Sequence, residues 1–285
     1  TNDLRLMAID GRTGKPCAGF GAAGAVPVPA VLPADARKGE ARITSAPVIL
    51  NGVLVTGTIV LDNQRENAPL GTVFAFDPRS GALKWTFNII PPDMENVTGT
   101  ANVWASISVD PETGLAFLPT SSPSPNYYGG DRLKEMPYAT ATVAVKAETG
   151  EVVWSRQLVH HDIWDVDTNS APTLVDIKKD GQVIPALIQA TKMGFLFVLN
   201  RNTGEPVWPI PDLPVPAGSV PGEWYAPTQP IPSRPAPYGV QDVNADTILN
   251  FTPELHARGL ALIKRYNTGG PFEPPSLSKP EGTWG

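Results

Sequence analysis

The sequence predicts an all-β fold of about four β-propeller blades, with long proline-rich loops and one short helix. Proline is frequent, at 32 of 285 residues, and 26 glycines add to it, which favours many turns over long helices. Apolar residues rarely recur at helical spacing. A unit of strand, turn and strand recurs four times instead, which is typical of repeat architectures.

Each repeat has the pattern of a β-hairpin. The four copies are AIDGRTGKPCAGF (8–20), AFDPRSGALKW (75–85), AVKAETGEVVW (144–154) and VLNRNTGEPVW (198–208). The turns end in a glycine that can adopt positive φ, at Gly14, Gly81, Gly150 and Gly204. Three copies carry a tryptophan four residues later, at Trp85, Trp154 and Trp208, whereas the first copy has Ala18. We expect the hairpins to stack radially, with each tryptophan packed against the neighbouring blade.

The spacing of the repeats leaves room for functional loops. Successive turn glycines are 54 to 69 residues apart, more than the ~40–50 residues of a plain blade. The segment 103–120 supplies a further strand, turn and strand. The remaining residues are expected to form long loops on the rigid propeller, where binding and catalytic groups commonly lie.

The C-terminal part of the chain changes character after Trp208. The segment at about 209–240 is rich in proline, which predicts an extended, irregular loop that crosses the domain; we call it the crossing. It could be a disordered linker, but its aromatic residues favour a loop laid on the domain surface; these are Trp224, Tyr225 and Tyr238.

One helix is predicted at about 253–266. Thr252 is a suitable N-cap, Pro253 suits the first turn, and two basic residues fall at the C-terminal end, Lys264 and Arg265. The final GTWG is typical of the start of another strand. We therefore interpret residues 1–285 as part of a propeller, with both termini truncated.

Composition excludes several classes of function. The net charge of −6 and the scattered basic residues argue against a nucleic-acid partner. No run of 18 apolar residues predicts a membrane span, and Thr1 is not followed by the pattern of a signal peptide. The lone Cys17 excludes an internal disulfide and a cysteine metal cluster, so we expect it to be a buried, inert thiol.

The segment HHDIWDVD, residues 160–167, concentrates titratable side chains. If it is an extended strand, Asp165 and Asp167 share one side, where one carboxylate in a pocket would gain basicity and act as a general base. The alternative is a capped turn whose carboxylates accept backbone N–H groups. A zinc site from His160 and His161 is disfavoured, since adjacent strand residues point in opposite directions.

Two further places in the sequence carry residues suited to catalysis or metal binding. Lys192 begins an apolar strand, where a lysine is unusual, and Asp62 and Asn63 follow another such strand. Their oxygen atoms suit a hard cation such as calcium.

Taken together, six motifs resemble the pyrroloquinoline quinone (PQQ) dependent dehydrogenases, above all the membrane-bound glucose, quinate and shikimate branch. They are, in order, LRLMAIDGRTGKPC, ITSAPVILNGVLVTG, GTANVWASISVDPETGLAF, SPSPNYYGGDR, VHHDIWDVD and KMGFLFVLNRNTGEPVWP. The family fold is an eight-bladed propeller, so the resemblance implies that this chain is about half of one.

The resemblance also implies residue roles. Asp165 matches the catalytic base, Lys192 the cation beside the quinone carbonyls, and Trp104 the ring on which the quinone stacks. Thr44 matches a cofactor hydrogen-bond donor and Asp62 the acidic calcium ligand. Related alcohol dehydrogenases carry a metal-binding asparagine where this chain has Ser122, so the second metal ligand is left open between Ser122 and the substitutes Asn63 and Asn126.

The implied function is oxidation of an alcohol, polyol or sugar hydroxyl by hydride transfer to PQQ, with calcium as second cofactor and a quinone or cytochrome as electron acceptor. The implied compartment is the bacterial periplasm, and the fragment alone is expected to be inactive. A non-catalytic propeller scaffold is the alternative, although it has no need for Asp62, Trp104, Asp165 and Lys192 together. A glycosidase would need Asp165 and Asp167 on opposed walls of a cleft, which one strand does not provide.

Overall fold

The computed structural model describes residues 1–284, and strands dominate it. These residues form nineteen strands: β1 (Arg5–Met7), β2 (Ala25–Pro27), β3 (Ala41–Arg42), β4 (Val48–Leu50), β5 (Val53–Thr56), β6 (Ile59–Val60), β7 (Thr72–Phe76), β8 (Leu83–Asn88), β9 (Ser108–Asp110), β10 (Leu115–Pro119), β11 (Ala141–Lys146), β12 (Val152–Gln157), β13 (Thr173–Lys179), β14 (Gln182–Ala190), β15 (Leu196–Asn200), β16 (Asp212–Pro214), β17 (Thr228–Pro230), β18 (Asn267–Thr268) and β19 (Thr283–Trp284). Pro92–Met94 is a short 3₁₀ turn, and α1 spans Pro253–Ile263.

The repeats form propeller blades, which confirms the predicted fold class. The strands β4-β5-β7-β8 form one complete antiparallel blade and β9-β10-β11-β12 the next. The third sheet has three strands, β13-β14-β15, and a bridge between Leu199 and Pro206 begins a fourth. The first repeat keeps only a bridge between Ile9 and Pro16, and it is flanked by the paired strands β1 and β2, whose Leu6 and Val26 pack with Phe74 and Phe76 of β7. The other three repeats belong to two complete blades and one three-stranded sheet.

The ends of the described chain do not pair with each other. Within residues 1–284, β1 pairs with β2, and β18 pairs in parallel with β19. The GTWG segment does enter a strand, at Thr283 and Trp284, while Gly285 lies outside the described residues.

Two of the three repeat tryptophans, Trp85 and Trp154, seal the junction to the next blade, whereas Trp208 packs against its own sheet at Val198 and Val207. The indole N–H of Trp85 donates to the carbonyl of Ala147 at 3.0 Å, and that of Trp154 donates to the carbonyl of Arg201 at 3.0 Å. Both carbonyls belong to the turn of the following repeat. The turn glycine lies directly against the ring: a Cβ added to Gly204 would approach Cδ2 of Trp154 to 2.8 Å. The glycine thus supplies positive φ and makes room for the tryptophan.

This packing predicts a difference between two glycines with similar backbones. Gly14 and Gly204 have φ of 68° and 73°, but a Cβ at Gly14 would meet no atom within 4 Å. We expect Gly14→Ala to lose roughly 1–2 kcal/mol of unfolding free energy through backbone strain alone. Gly204→Ala should lose roughly 1–3 kcal/mol more through overpacking against Trp154. Denaturant unfolding of both variants measures this, and equal losses would contradict the sealing role.

The C-terminal segments follow the prediction with one correction. The crossing 209–240 contains the hairpin β16-β17 and lies on the domain, where Gln229 exchanges hydrogen bonds with the backbone of His160. The helix α1 ends at Ile263, three residues earlier than predicted. The amides of Arg265 and Tyr266 bond to carbonyls three residues back, so the last turn is too tight for an α-helix. Lys264 caps the helix end, and Arg265 lies beyond it.

Two smaller expectations can be compared with the structure. Cys17 is free and half-buried, packed against the cluster that holds Phe20 and Val26, so it is less buried than expected. In the described part of the chain, no helix combines the length and apolar character that a membrane crossing requires.

Candidate active site

The segment 160–167 is a folded turn, so the interpretation as an extended strand is wrong. The carboxylate of Asp162 is buried and caps the turn: Oδ1 accepts the amide of Trp164 at 2.9 Å, and Oδ2 accepts the hydroxyl of Thr140 at 3.0 Å. His161 and Asp165 take positive φ, at 44° and 57°. The capped-turn alternative therefore describes Asp162, and the turn presents Asp165 differently from a strand.

Lys192 binds both outer acids of the turn. Its Nζ donates to the backbone carbonyl of Asp165 at 2.9 Å and to Oδ2 of Asp167 at 2.9 Å, and lies 3.5 Å from Oδ2 of Asp165. Partial burial opposes its charge, but the negative charge of Asp167 and then Asp165 outweighs it and raises the pKa of Lys192. Lys192 therefore stays protonated. Its acidic partners explain how a charged residue can begin an apolar segment.

Asp165 retains a carboxylate oxygen that is free for a substrate. Its Oδ1 accepts the side-chain amide of Asn126 at 2.7 Å, whereas Oδ2 has only the long approach of Lys192. The side chain is 20% exposed. Burial raises the pKa of Asp165, the nearby charge of Asp167 adds to this, and Lys192 opposes it. An accessible carboxylate of increased basicity is suited to general base catalysis.

Asp167 connects the parts of the site, a role that the sequence did not indicate. Its Oδ1 accepts the backbone amide of Ser122 at 2.8 Å, and its Oδ2 accepts the indole N–H of Trp104 at 3.3 Å as well as the Lys192 ammonium. The carboxylate is 5% exposed. One buried acid thus fixes the ring of Trp104, the chain at Ser122 and the lysine head group relative to one another.

The predicted cofactor residues lie side by side. Trp104 is half-buried, and the side chain of Lys192 is 32% exposed. The exposed hydroxyl of Thr44 lies 3.4 Å from the backbone carbonyl of Trp104. An aromatic face, a cation and a hydroxyl donor therefore share one rim of the site.

The predicted metal residues meet the same cluster through Asn126. Oδ1 of Asn63 accepts the backbone amide of Asn126 at 2.9 Å. The side-chain oxygen of Asn126 is buried and has no hydrogen-bond partner among residues 1–284. Ser122 is fully buried, with its hydroxyl 3.5 Å from the carbonyl of Pro123. The described residues contain no group of three or more His, Cys, Asp or Glu side chains arranged to hold a metal, so a cation here would need amide or hydroxyl oxygens.

Asp62 lies within electrostatic reach of this cluster. Its side chain is accessible, but crowding by protein atoms, followed by the charges of Asp167 and Asp165, raises its pKa to about 6, with Lys192 opposing. Within residues 1–284 no hydrogen bond to its carboxylate is formed. Like charges held close together in this way favour a bound cation.

Buried polar residues hold the turn in place. Nε2 of His161 lies 2.9 Å from Oε1 of Glu223, and its ring packs on Trp224 with centroids 4.5 Å apart. Arg132 is fully buried and donates to the carbonyl of Asp162 at 2.9 Å. Sequence reasoning missed both supports, although Arg132 ends the motif SPSPNYYGGDR. These contacts assign His161 a structural role in place of a zinc site.

Comparison with known proteins gives the family. The model of the PQQ glucose/ethanol/alcohol dehydrogenase β-propeller domain matches residues 1–284. The glycerol dehydrogenase large subunit of Gluconobacter oxydans (strain 621H) is 37% identical over 98% of this chain and 39% of its own length. The quinoprotein glucose dehydrogenase of Escherichia coli (strain K12) is 38% identical over 81% of this chain and 30% of its own length.

Solved structures agree. The quinohemoprotein alcohol dehydrogenase ADHIIG of Pseudomonas putida HK5 superposes with a TM-score of 0.58 at 28% identity, covering 73% of this chain and 32% of that one. The quinohemoprotein alcohol dehydrogenase of Comamonas testosteroni has the same fold, with a TM-score of 0.61 at 24% identity over 81% of this chain and 35% of that one. The chain spans between 30% and 39% of the length of these four proteins. It belongs to the family of PQQ glucose/ethanol/alcohol dehydrogenase β-propeller domains.

Proposed function

We propose that the protein carrying this chain oxidises the hydroxyl group of an alcohol, polyol or sugar, with PQQ as hydride acceptor. Family membership supports the reaction class. The observation that carries the proposal is the Asp165 carboxylate, held by Asn126 on one oxygen and 3.5 Å from the Lys192 ammonium on the other. A base and a fixed cation side by side meet the needs of alcohol oxidation.

In this proposal Asp165 removes the hydroxyl proton through Oδ2. Asn126 keeps Oδ1 occupied and fixes the carboxylate plane, so Oδ2 is the oxygen left for a substrate. Partial burial makes the carboxylate a stronger base than a solvated aspartate. Because Lys192 also binds the backbone of Asp165, the base and the cation keep a constant separation.

The residues fit a planar, anionic quinone. The face of Trp104 offers an aromatic floor, its ring fixed by the bond from Nε1 to Asp167, and Thr44 and Lys192 offer a hydroxyl and a positive charge on the same rim. When bound, PQQ supplies the electrophilic carbonyl that accepts the hydride. Lys192 is placed to stabilise negative charge that develops in its neighbourhood.

The residues also fit a calcium ion, which we propose as the second cofactor. Asp62 supplies an unneutralised carboxylate and Asn126 a buried oxygen without a partner, and hard oxygen donors are what calcium prefers. Asn63 is already an acceptor for Asn126, and the Ser122 hydroxyl is turned toward Pro123. We therefore propose Asp62 and Asn126 as the leading ligands, with Asn63 and Ser122 as further candidates.

We propose that the electrons leave to a quinone or a cytochrome and that the protein works in the bacterial periplasm. The names of two relatives support the proposed acceptors: the quinate/shikimate dehydrogenase (quinone) of Acinetobacter baylyi (strain ATCC 33305 / BD413 / ADP1) and the quinohemoprotein alcohol dehydrogenase ADH IIB of Pseudomonas putida.

The test uses the protein expressed from its complete reading frame. After incubation with PQQ and Ca²⁺, it should reduce an artificial electron-accepting dye when supplied with one or more members of a panel of alcohols, polyols and sugars. A protein that binds no PQQ and reduces no dye with any of them would contradict the proposal and favour the non-catalytic scaffold.

The proposed metal ligand has its own signature. Asp62→Asn removes a carboxylate charge, so apparent calcium affinity should fall by about tenfold or more and activity should return with excess calcium by mass action. Since the pKa of Asp62 is about 6, calcium affinity of the unchanged protein should also fall below about pH 6, where protons compete. Calcium titrations at pH 5 and 7 measure both effects, with Asp246→Asn as an exposed control. An unchanged affinity in the Asp62 variant would remove this residue from the metal site.

A further inference from the structure

A cleft of about 350 Å³ opens beside the turn formed by residues 160–167. Its inner wall is Ile163, Trp164 and Val166, the residues that flank Asp165 in the chain. Its outer wall comes from the C-terminal segment 271–283, which includes Leu277. The volume lies within the range of small-molecule sites and would hold a phenyl or short alkyl group.

The cleft lies beside the site of Asp165, whose chain neighbours Trp164 and Val166 line it. Tyr127 lines it and follows Asn126, whose side chain is bonded to the Asp165 carboxylate. Partial burial, followed by the negative charge of Asp165, raises the pKa of Tyr127, so the phenol lies within electrostatic reach of that carboxylate. A molecule that places its hydroxyl on Asp165 therefore has the cleft next to it.

The outer wall is anchored rather than loosely placed. The indole N–H of Trp164 donates to the carbonyl of Glu273 at 2.8 Å. The same ring meets Phe272 edge-on, with centroids 5.4 Å apart, and Phe272 is only 3% exposed. The strand pair β18-β19 then joins the end of the segment to the chain just before its start. The wall thus has a fixed distance from Asp165.

The lining is largely apolar, and part of it faces solvent. Leu277 and Tyr127 are 72% and 57% exposed, although both line the cleft. A sugar in this cleft would place several hydroxyl groups against apolar side chains, at roughly 1–3 kcal/mol for each one buried without a partner. Among residues 1–284, the polar side chains in the lining are only those of Tyr127, Glu273, Ser276 and Thr283. An alkyl or aryl group would cover the exposed apolar surface instead.

We propose that this cleft binds the apolar substituent of the substrate, so that the protein prefers alcohols bearing an alkyl or aryl group to sugars and polyols. This inference rests on the proposed function, because it assumes that Asp165 receives the hydroxyl. Tyr127, Val166 and Leu277 are then specificity-determining residues.

The test compares benzyl alcohol with glycerol and glucose, using the complete protein loaded with PQQ and Ca²⁺. We expect kcat/KM to be at least about tenfold higher for benzyl alcohol, the discrimination that a small apolar pocket supplies. Leu277→Asp should lower kcat/KM for benzyl alcohol by about tenfold, mainly by raising KM. The kcat/KM for glycerol should change much less. Leu249→Asp is the matched control, since Leu249 is 65% exposed and lies outside the cleft.

A second readout does not depend on turnover. Saturation-transfer NMR on the protein without PQQ should show contact with benzyl alcohol, and Leu277→Asp should remove it. Dye reduction with glycerol or glucose but not with benzyl alcohol would overturn the inference and leave the proposed function standing. If none of the substrates supports dye reduction but the NMR contact is present and Leu277→Asp abolishes it, the proposed function is contradicted and the cleft is supported as a binding site. If NMR shows no contact with benzyl alcohol, the inference that the cleft binds the apolar substituent is overturned.

Discussion

Replacing Asp165 by asparagine is expected to lower kcat by about 10²- to 10⁴-fold while PQQ still binds. The substitution keeps the shape of the side chain and removes its basicity. Trp104 should stay in place, because Asp167 and not Asp165 holds it, and Lys192 keeps its bonds to Asp167 and to the backbone carbonyl of residue 165. Dye-reduction kinetics and a PQQ titration of the Asp165→Asn protein separate the two effects.

The pH profile provides a second check on Asp165. A base must be ionised to accept a proton, so the rate should fall as pH falls through its pKa. Burial places that pKa above the ordinary carboxyl value, so the acid limb should lie at higher pH than for a solvated aspartate. The control is Asp246→Asn, at an exposed position, which should keep the native profile. A near-normal kcat in the Asp165 variant would exclude this residue as the base.

Replacing Lys192 by alanine should lower kcat by about 10²-fold or more, the usual loss when a positioned charge at a developing anion is removed. Here, unlike the Asp165 variant, PQQ affinity should also fall, since the ammonium is proposed to contact the cofactor before and during reaction. Lys192→Arg retains the charge and should recover part of both losses.

The Lys192 substitution should also move the pH profile. Its charge lowers the pKa of Asp165 and of Asp62, so its removal should raise both and shift the acid limb of activity to higher pH. Asp167 would in addition lose its ammonium partner. An alanine variant with native PQQ affinity and an unshifted acid limb would contradict the role assigned to Lys192.

Local chemistry explains why the sequence was informative about the fold. A hairpin turn needs a residue that tolerates positive φ, and Gly81, Gly150 and Gly204 have φ of 75°, 76° and 73°. This requirement concerns only a few neighbouring residues. The turn glycine is therefore recognisable within one repeat and recurs in each copy. The N-cap of α1 is likewise local: the hydroxyl of Thr252 accepts the amide of Leu255.

Some of the candidate site was also accessible from residue types. A lysine before an apolar strand and an aspartate after another are locally unfavourable, which marked Lys192 and Asp62. The conformation of 160–167 was not accessible, because period-two alternation does not distinguish a strand from a turn capped by its own Asp162. The partners that decide this conformation, Thr140 and Arg132, come from a different part of the chain.

The sequence by itself determined the hairpin repeat, the all-β class and the identity of Asp165, Lys192 and Asp62 as candidates. Only the tertiary structure decided that Asp167 holds Trp104, Ser122 and Lys192 together, that Asn126 orients Asp165, and that the segment 271–283 builds an apolar wall beside them. The physical reason is the range of the interactions. A turn is fixed by backbone torsions of neighbouring residues, whereas a shared carboxylate or a cleft exists only after blades distant in sequence have packed side by side.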